Sequence, residues 1–452
     1  MQWLQDKLNI LSGIIWGEYL LIPLLAIVGI YLTIGLHAMP WRKLPLAFQT
    51  LWQGRKTTSQ LEGDITPYQA LMTALAATVG TGNIAGVATA IYFGGPGAIF
   101  WMWVIALFGM ATKYAEAVLA VSYREKDDLG NYVGGPMYYI RNGLGDSWNW
   151  MATAFAFFAM IAAFGIGNMV QSNSVADVIS TNFNVPTWIT GLVMTILAAS
   201  VIIGGVKRIA QVATKLVPFM ALAYIIAAVV IVILNVEKLP DAISLIFNSA
   251  FSGSAASGGF LGATIWMAIR WGFARGIFSN EAGLGSAPIA HAAAQTNDPV
   301  KQGMVAMLGT FIDTIIICSL TAFVIILTGT WESGLQGASM SSQAFETGLI
   351  GYGGYIVSIG LVLFAFTTIL GWSYYGERSA EYLFGTKIIK PYRLLWVIAI
   401  FIGAVMKLEL VWTFADVLNG LMALPNLAAL LLLSPVVFSK TRQYFNNKSS
   451  KW

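Results

Sequence analysis

Two stretches of the chain place polar residues and glycines inside long apolar segments. The first, ATVGTGNIAG (residues 77–86), carries three glycines, two threonines and an asparagine where a membrane-spanning helix would hold apolar side chains. The second, GIFSNEAGLGSAPIA (residues 276–290), contains serine, asparagine, glutamate, further glycines and a proline. Both compositions predict a broken helix, whose backbone N–H and C=O groups must be satisfied by protein or by a ligand because lipid offers no partners.

A pair of breaks offers ligands of opposite character. A half-helix that begins at a break presents N–H groups and the positive end of its dipole, which suit a carboxylate. A half-helix that ends there presents carbonyls, which suit an ammonium group or a sodium ion. Glycines also allow helices to pack closely, so the first break taken alone is equally consistent with packing. The second break, with more polar content, favours a ligand site.

The composition indicates a polytopic membrane protein. Of the 452 residues, 57% are hydrophobic and 10% are charged, with a mean hydropathy of +0.71, whereas soluble domains are about a quarter charged. Cys318 is the single cysteine, which excludes a disulfide within the chain. No removable signal peptide is expected. We expect a multi-pass protein of the plasma (inner) membrane that does not bind nucleic acid.

Apolar segments of about 20 residues are long enough to cross the membrane. Eleven are predicted, near residues 15–36, 67–93, 97–123, 152–182, 187–205, 213–235, 260–290, 302–329, 353–377, 391–408 and 413–438.

Lys and Arg residues gather in the loops on one side of this arrangement, while the other side keeps only Lys7, Lys238 and Lys407. Basic loops stay in the cytoplasm. The N-terminus is therefore predicted outside and the C-terminus inside, and the net charge of +4 reflects this bias.

Each break lies in the first helix of a block of five predicted helices. Because five is an odd number, the second block must be inverted relative to the first, as in transporters with inverted repeats. The predicted organisation is an N-terminal transmembrane helix and cytoplasmic linker (1–64), a first repeat (65–236), a second repeat (237–438) and a cytoplasmic tail (439–452).

Several long motifs resemble the alanine or glycine:cation symporter family. They are TALAATVGTGNIAGVATA, GGPGAIFWMWVIALFGMATKYAEA, GGPMYYI, GIGNMVQSNSVAD, GIFSNEAGLGSAPIA and ILGWSYYGE. The resemblance covers residues 65–426 and implies an all-α leucine-transporter-type fold, with ten core helices in two inverted repeats, broken first and sixth core helices, and one extra helix before them. It also implies sodium- or proton-coupled uptake of alanine and glycine.

The resemblance implies a substrate site at the two breaks. The amides of Thr81 and Gly82 would bind the carboxylate, and carbonyls near Thr78 and Phe278 would bind the amino group. Gln171 would form a hydrogen bond with the substrate. Phe278 and Trp372 would enclose a space for little more than a methyl group.

The resemblance also implies two cation sites. One would be formed by the carbonyls of Ala76, Val79 and Phe364 with the hydroxyls of Thr367 and Thr368, the latter close to the substrate. Asn83 would stand beside the other site. Threonine hydroxyls in membrane helices also bond back to their own helix.

Charged residues at membrane depth are usually functional. Lys113 and Glu116 are three residues apart and can pair on one helix face; they are predicted to brace the second break. Glu281 is expected to accept hydrogen bonds from the freed amides. Asp313 is a candidate sodium or proton carboxylate, or alternatively a structural partner of Lys113 or Arg275.

A gate between Arg270 and Asp416 is also predicted, although snorkelling alone would explain the position of Arg270.

The predicted function is a monomeric symporter without a cofactor, apart from Na⁺ or H⁺ as the co-transported ion. The alternative is an exchanger of the same fold without ion coupling. An enzyme would need nucleophiles or metal ligands that the sequence scarcely provides, and a channel would need a continuous polar pore.

Overall fold

The computed structural model describes residues 2–17, 19–56, 61–255, 258–406 and 409–449. Part of the predicted linker and two lysines used to predict the orientation, Lys407 and Lys451, lie outside these ranges. The described chain is almost entirely helical. The α-helices in chain order are α1 (Gln2–Ile15), α2 (Leu21–Gly35), α3 (Met39–Arg42), α4 (Leu44–Gln53), α5 (Pro67–Thr78), α6 (Val87–Gly94), α7 (Gly97–Ser122), α8 (Pro136–Leu144), α9 (Asn149–Phe164), α10 (Val170–Phe183), α11 (Thr187–Ile202), α12 (Gly205–Leu234), α13 (Leu239–Ser252), α14 (Ile265–Asn280), α15 (Ala287–Ala292), α16 (Pro299–Thr310), α17 (Ser319–Leu327), α18 (Gly337–Gly348), α19 (Gly353–Phe384), α20 (Ile389–Val405), α21 (Glu409–Leu432) and α22 (Ser434–Ser449).

Three π-helical segments lie between consecutive α-helices. They are Gly82–Gly86, Gly165–Met169 and Phe311–Cys318. Short 3₁₀ turns occupy Asp146–Trp148, Val236–Lys238, Thr330–Glu332 and Thr386–Ile388, and an antiparallel hairpin joins β1 (Glu125–Lys126) to β2 (Tyr132–Val133). π-Helical turns are rare and often mark functional sites.

Seven of the described helices are long and apolar enough to span a membrane, and the pair Pro67–Thr78 and Gly82–Gly94, bent by 54°, makes eight. This establishes a multi-pass membrane protein. Several of the eleven predicted segments correspond to shorter helices, among them α2 and α11. The first predicted segment, 15–36, is divided, since α1 ends at Ile15 and α2 begins at Leu21.

The long helix α7 is a central scaffold, packing against α14 and α16 and also against α15. Helix α9 packs against α19 and α21, and α5 contacts both α12 and α19. Thr66 starts α5 with a capping box, accepting from the Gln69 amide at 3.1 Å while its own amide donates to the Gln69 side chain at 3.0 Å. The two broken segments are therefore held between long, regular helices.

Candidate functional site

The first break is held open by Asn83. Helix α5 ends at Thr78, and Val79 adopts an extended conformation with φ −73° and ψ 94°. The amide of Gly80 then donates to Asn83 Oδ1 at 2.9 Å, so the carbonyl of Ala76 loses its regular helical donor. The residues predicted to contribute carbonyls, Ala76 and Val79, thus lie where the helix ends.

The second break depends on positive backbone φ angles. Glu281 ends α14 in the left-handed conformation with φ 57°, and Gly283 and Gly285 follow with φ 88° and 83°. Glycine adopts such angles without the steric cost of a side chain. The amides of these two glycines donate to Glu116 Oε1 at 3.2 and 3.1 Å.

Glu116 therefore binds the freed amides that the sequence assigned to Glu281. Asn426 Nδ2 also donates to Glu116 Oε1 at 2.7 Å, and Tyr139 donates to the side chain of Asn426. Glu281 instead accepts from Trp372 Nε1 at 2.8 Å and from Ser286 Oγ at 2.5 Å. The prediction for Glu281 was wrong because its left-handed backbone directs the chain so that the amides of Gly283 and Gly285 face α7.

The predicted local pair of Lys113 and Glu116 is not formed, since within the described ranges no carboxylate oxygen lies within 4.0 Å of Lys113 Nζ. Lys113 is 3% exposed and interacts electrostatically with Glu281, Glu116 and Asp313. The positive charge of one buried lysine thus acts on three buried carboxylates without a direct ion pair in the described chain.

The two breaks meet at Asp313, on the π-helical segment after α16. This fully buried carboxylate accepts from Asn83 Nδ2 at 2.7 Å, from Ser279 Oγ at 2.8 Å and from Thr314 Oγ1 at 2.8 Å. A Cβ placed on Gly82 would lie 3.0 Å from Cα of Ser279, so the two backbones are in direct contact. The structural alternative for Asp313, an ion pair with Lys113 or Arg275, is not present in the described residues.

Sequence reasoning missed three residues at this junction. Ser279 and Thr314 donate to Asp313, and Cys318 Sγ lies 3.3 Å from both Asn83 Nδ2 and Ser279 Oγ. Ser279 stands within the quoted second break, so its polarity was a usable signal. Cys318 gave none, because a lone cysteine in an apolar run resembles any small core residue.

Gln171 is the second residue of α10, directly after another π-helical segment. Its Nε2 donates to the carbonyl of Ile166 at 3.0 Å and to Thr81 Oγ1 at 3.3 Å. Its Oε1 is buried without a hydrogen-bond partner among the described residues, and a Cβ on Gly80 would lie 3.8 Å from it. A buried polar atom without a partner is costly. Gln171 Oε1, which lies beside the first break, is therefore an acceptor that a donor group of a ligand could satisfy.

Helix α19 brings Thr368 to the first break, since a Cβ on Gly80 would lie 2.6 Å from Thr368 Oγ1. The hydroxyls of Thr367 and Thr368 donate to the carbonyl of Phe364 at 2.9 and 3.0 Å. Each hydroxyl oxygen keeps lone pairs for a further partner. Thr78 is the last residue of α5, and its hydroxyl also bonds back to its own helix, at 3.1 Å from the carbonyl of Ala74.

Phe278 lies at a cavity of about 150 Å³ at the end of the molecule that carries α1. Its ring stacks on Trp412 with centroids 6.4 Å apart. Trp16, just after α1, lines the same cavity and donates from Nε1 to the carbonyl of Asp416 at 2.9 Å. The sequence placed Trp16 inside the first membrane helix and gave it no role.

Arg270 and Asp416 both line this cavity, but no ion pair within 4.0 Å joins them in the described residues. The guanidinium of Arg270 lies 5.9 Å from the ring centroid of Trp271. Arg275, which lines the same cavity, is the charge that interacts with Asp416. The predicted gate is thus not formed, and among the described residues Arg275 makes no ion pair with Asp416 within 4.0 Å either.

The opposite end of the molecule carries Arg124, Arg378 and Arg393, and we call it the basic end. Hydrogen bonds from Arg124 join chain segments there. Arg124 donates to the carbonyls of Ala292, Ala294, Glu62 and Thr296 at 2.7–3.0 Å.

An ion-pair network lies beside these segments. Arg378 on α19 pairs with Asp127 at 3.1 Å and with Glu381 at 2.5 Å, and Arg393 on α20 pairs with Glu377 at 2.6 Å. Burial alone would raise the pKa of Asp127, but hydrogen bonds from Asn131 and the charge of Arg378 outweigh it, so this pKa lies below its usual value.

Comparison with known proteins gives consistent results over the whole chain. The model of the sodium:alanine symporter family matches residues 1–451. A sodium/alanine symporter, AgcS, of Methanococcus maripaludis is 53% identical over 96% of this chain and 96% of its own length. A probable sodium/glutamine symporter, GlnT, of Bacillus subtilis is 38% identical over 99% of this chain and 92% of its own.

Solved structures agree at the level of the fold. MhsT in complex with L-phenylalanine superposes with a TM-score of 0.57 at 14% identity, covering 84% of this chain and 99% of that one. A manganese transporter of Eremococcus coleocola gives 0.51 at 13% identity, covering 82% and 78%. At such identities the likeness concerns the fold alone, which is of the leucine-transporter type.

Proposed function

Because the chain belongs to the sodium:alanine symporter family, we propose that it couples the uptake of alanine and glycine to the sodium gradient by alternating access. The observation that carries the proposal is the meeting of the two helix breaks around Asp313. Paired breaks at one depth create a site of backbone groups rather than a pore.

The substrate is proposed to bind beside the first break. Its carboxylate would accept hydrogen bonds from the amides of Thr81 and Gly82, where a new half-helix begins. Its ammonium group would donate to Gln171 Oε1, which otherwise lacks a donor. Phe278 and Trp372 would limit the space for the side chain, which favours alanine and glycine over the glutamine named for one relative.

Sodium is proposed to bind between α5 and α19. The carbonyls of Ala76, Val79 and Phe364 and the hydroxyls of Thr367 and Thr368 provide hard oxygen ligands. The closeness of Thr368 to Gly80 supports this placement, since one ion could then hold α19 against the first break. Asn83 and Asp313 form the second candidate site.

Uptake of labelled alanine into proteoliposomes tests this function. An inward sodium gradient should drive accumulation, and a proton gradient alone should not. A matched liposome preparation without protein gives the leak. Uptake that ignores both gradients and requires amino acid inside the vesicle would establish the exchanger instead; uptake driven by protons alone would reject sodium as the coupling ion.

A further inference from the structure

A second pocket lies at the basic end, remote from the helix breaks. It has a volume of about 580 Å³ and lies where three membrane helices meet their loops, after α11 and before α12 and α20. Its lining contains five basic residues and no Asp or Glu among the described residues. They are Lys207, Arg378, Lys387, Lys390 and Arg393.

Among the described residues, the lysines of this pocket are not neutralised by close ion pairs, although Lys207 interacts at longer range with Asp64. Arg378 and Arg393 are neutralised by Asp127, Glu381 and Glu377 in the network described above. The three lysines form no ion pair within 4.0 Å in the part of the chain that the structure describes. Three positive charges around one concavity repel each other and attract an anion.

Arg378, one of the residues that line the pocket, has a donor without a partner in the described ranges. Arg378 is 3% exposed, and its Nε has no hydrogen-bond partner among the described residues. Its planar guanidinium suits a phosphate oxygen. A buried donor of this kind is costly when unpaired, so a ligand that accepts from Arg378 Nε would be favoured.

The start of α12 adds to this lining. Gly205 begins this 30-residue helix with φ 66°, and a Cβ there would lie 2.9 Å from Arg393 Nη2. The glycine thus lets Arg393 approach the chain and donate to the carbonyl of Ile203 at 3.0 Å. The first N–H groups of a long helix also favour an anion.

Apolar side chains at the rim indicate the source of that anion. Ile203 and Leu129 line the pocket and are 70% and 65% exposed. A soluble phosphate makes no use of such groups, whereas the glycerol and acyl chains of a lipid would cover them. Basic pockets between membrane helices are known to bind anionic headgroups.

We propose that this pocket binds the phosphate headgroup of an anionic phospholipid, with Lys207, Lys387 and Lys390 neutralising the phosphodiester and Arg378 donating from its Nε. Arg378 and Arg393 also form the ion pairs of the basic end. A headgroup in the pocket would therefore contact that ion-pair network directly. The site is independent of the substrate and sodium sites.

Native mass spectrometry of the full-length protein in a neutral detergent tests the proposal. Phosphatidylglycerol is titrated against the wild type, the pocket variant Lys207→Gln/Lys387→Gln/Lys390→Gln, and a control variant Lys56→Gln/Lys215→Gln/Lys301→Gln. The control removes the same charge from exposed positions outside the pocket. At about 1 kcal/mol per basic residue, each pocket lysine should contribute about fivefold to the affinity.

The expected result is a large loss of phosphatidylglycerol binding in the pocket variant, none in the control, and weak binding of phosphatidylcholine throughout. Lys390→Gln alone should show about a fivefold loss, which keeps the test informative if the triple variant does not fold. Equal losses in pocket and control variants would overturn the proposal. Displacement of the lipid by inorganic phosphate at equal concentration would assign the pocket to a soluble anion and reject the lipid.

Discussion

At the residue scale, Asp313 connects the parts of the candidate site. Its two oxygens accept from Asn83 of the first break, from Ser279 of the second and from its neighbour Thr314. A buried carboxylate that joins the two breaks provides oxygen atoms of the kind that suits a cation. Both breaks are therefore joined through one carboxylate.

The first prediction concerns that carboxylate. Asp313→Asn keeps the shape and one acceptor, so the protein should fold, but the negative charge beside the proposed cation is lost. The sodium concentration for half-maximal alanine uptake should rise by about tenfold or more, because losing one partner of a buried charge pair costs more than 1.4 kcal/mol. Sodium-activation curves in proteoliposomes measure this. Asp241→Asn, at an exposed position on α13, is the control; an unaltered curve for Asp313→Asn would remove this residue from the cation site.

The second prediction concerns Thr368. Its hydroxyl bonds back to Phe364, four residues earlier, as the hydroxyl of Thr347 bonds back to Gln343 on an exposed helix face. Thr368→Ala should weaken sodium activation of uptake, because a proposed ligand is lost, while Thr347→Ala removes the same local bond without effect on sodium. If both variants retain wild-type sodium activation, the site between α5 and α19 is misplaced.

At the scale of elements, the site lies where helices depart from regular α geometry. The three π-helical segments directly precede α6, α10 and α17 and contain or adjoin Asn83, Gln171 and Asp313. An extra residue in a helical turn redirects the side chains that follow it. The three π-helical segments thereby help to turn polar groups toward the two breaks.

The third prediction tests how closely the breaks must approach. Gly82→Ala places a Cβ 3.0 Å from the backbone of Ser279, which cannot move as a side chain can. Such overpacking costs about 1–3 kcal/mol, so thermal stability in detergent and alanine uptake should both fall. In Gly309→Ala, the new Cβ lies 3.7 Å from Leu71 Cδ1, an ordinary contact. That variant should retain uptake and stability; if Gly82→Ala behaves in the same way, direct contact between the breaks is not required.

At the scale of the whole molecule, charge is distributed unequally between the two ends. The basic end carries Arg124, the ion-pair network of Arg378 and Arg393, and the lysine-rich pocket. The other end carries α1 and the cavity beside Phe278. We propose that the basic end faces the cytoplasm, as the positive-inside rule predicts, and that substrate enters from the cavity beside Phe278.

The fourth prediction tests this orientation with introduced cysteines. Cys318 is buried, so an impermeant maleimide should not label the native protein. In intact cells Lys238→Cys should be labelled, since Lys238 is exposed on the proposed outer side, whereas Lys126→Cys should react only after permeabilisation. Labelling of both variants in permeabilised cells serves as the control. The reverse pattern in intact cells, with Lys126→Cys labelled and Lys238→Cys protected, would invert the topology.

The sequence by itself determined the membrane class, the family and the positions of both breaks. Each of these is a local or compositional property: apolar length defines membrane segments, and glycine with polar residues within them defines an interruption. Asp313 was selected because a charged residue at membrane depth is usually functional, and Asn83 because the family resemblance implies an asparagine beside a cation site.

Only the tertiary structure decided which partner each polar group has. Glu116 rather than Glu281 accepts from the amides of the second break, and Lys113 stands among three carboxylates instead of pairing along its helix. Helical spacing predicts neighbours on one helix, but it contains no information on the residues that another helix brings near. Contacts such as Ser279 with Asp313 arise from segments far apart in the chain, and packing alone fixes their distance.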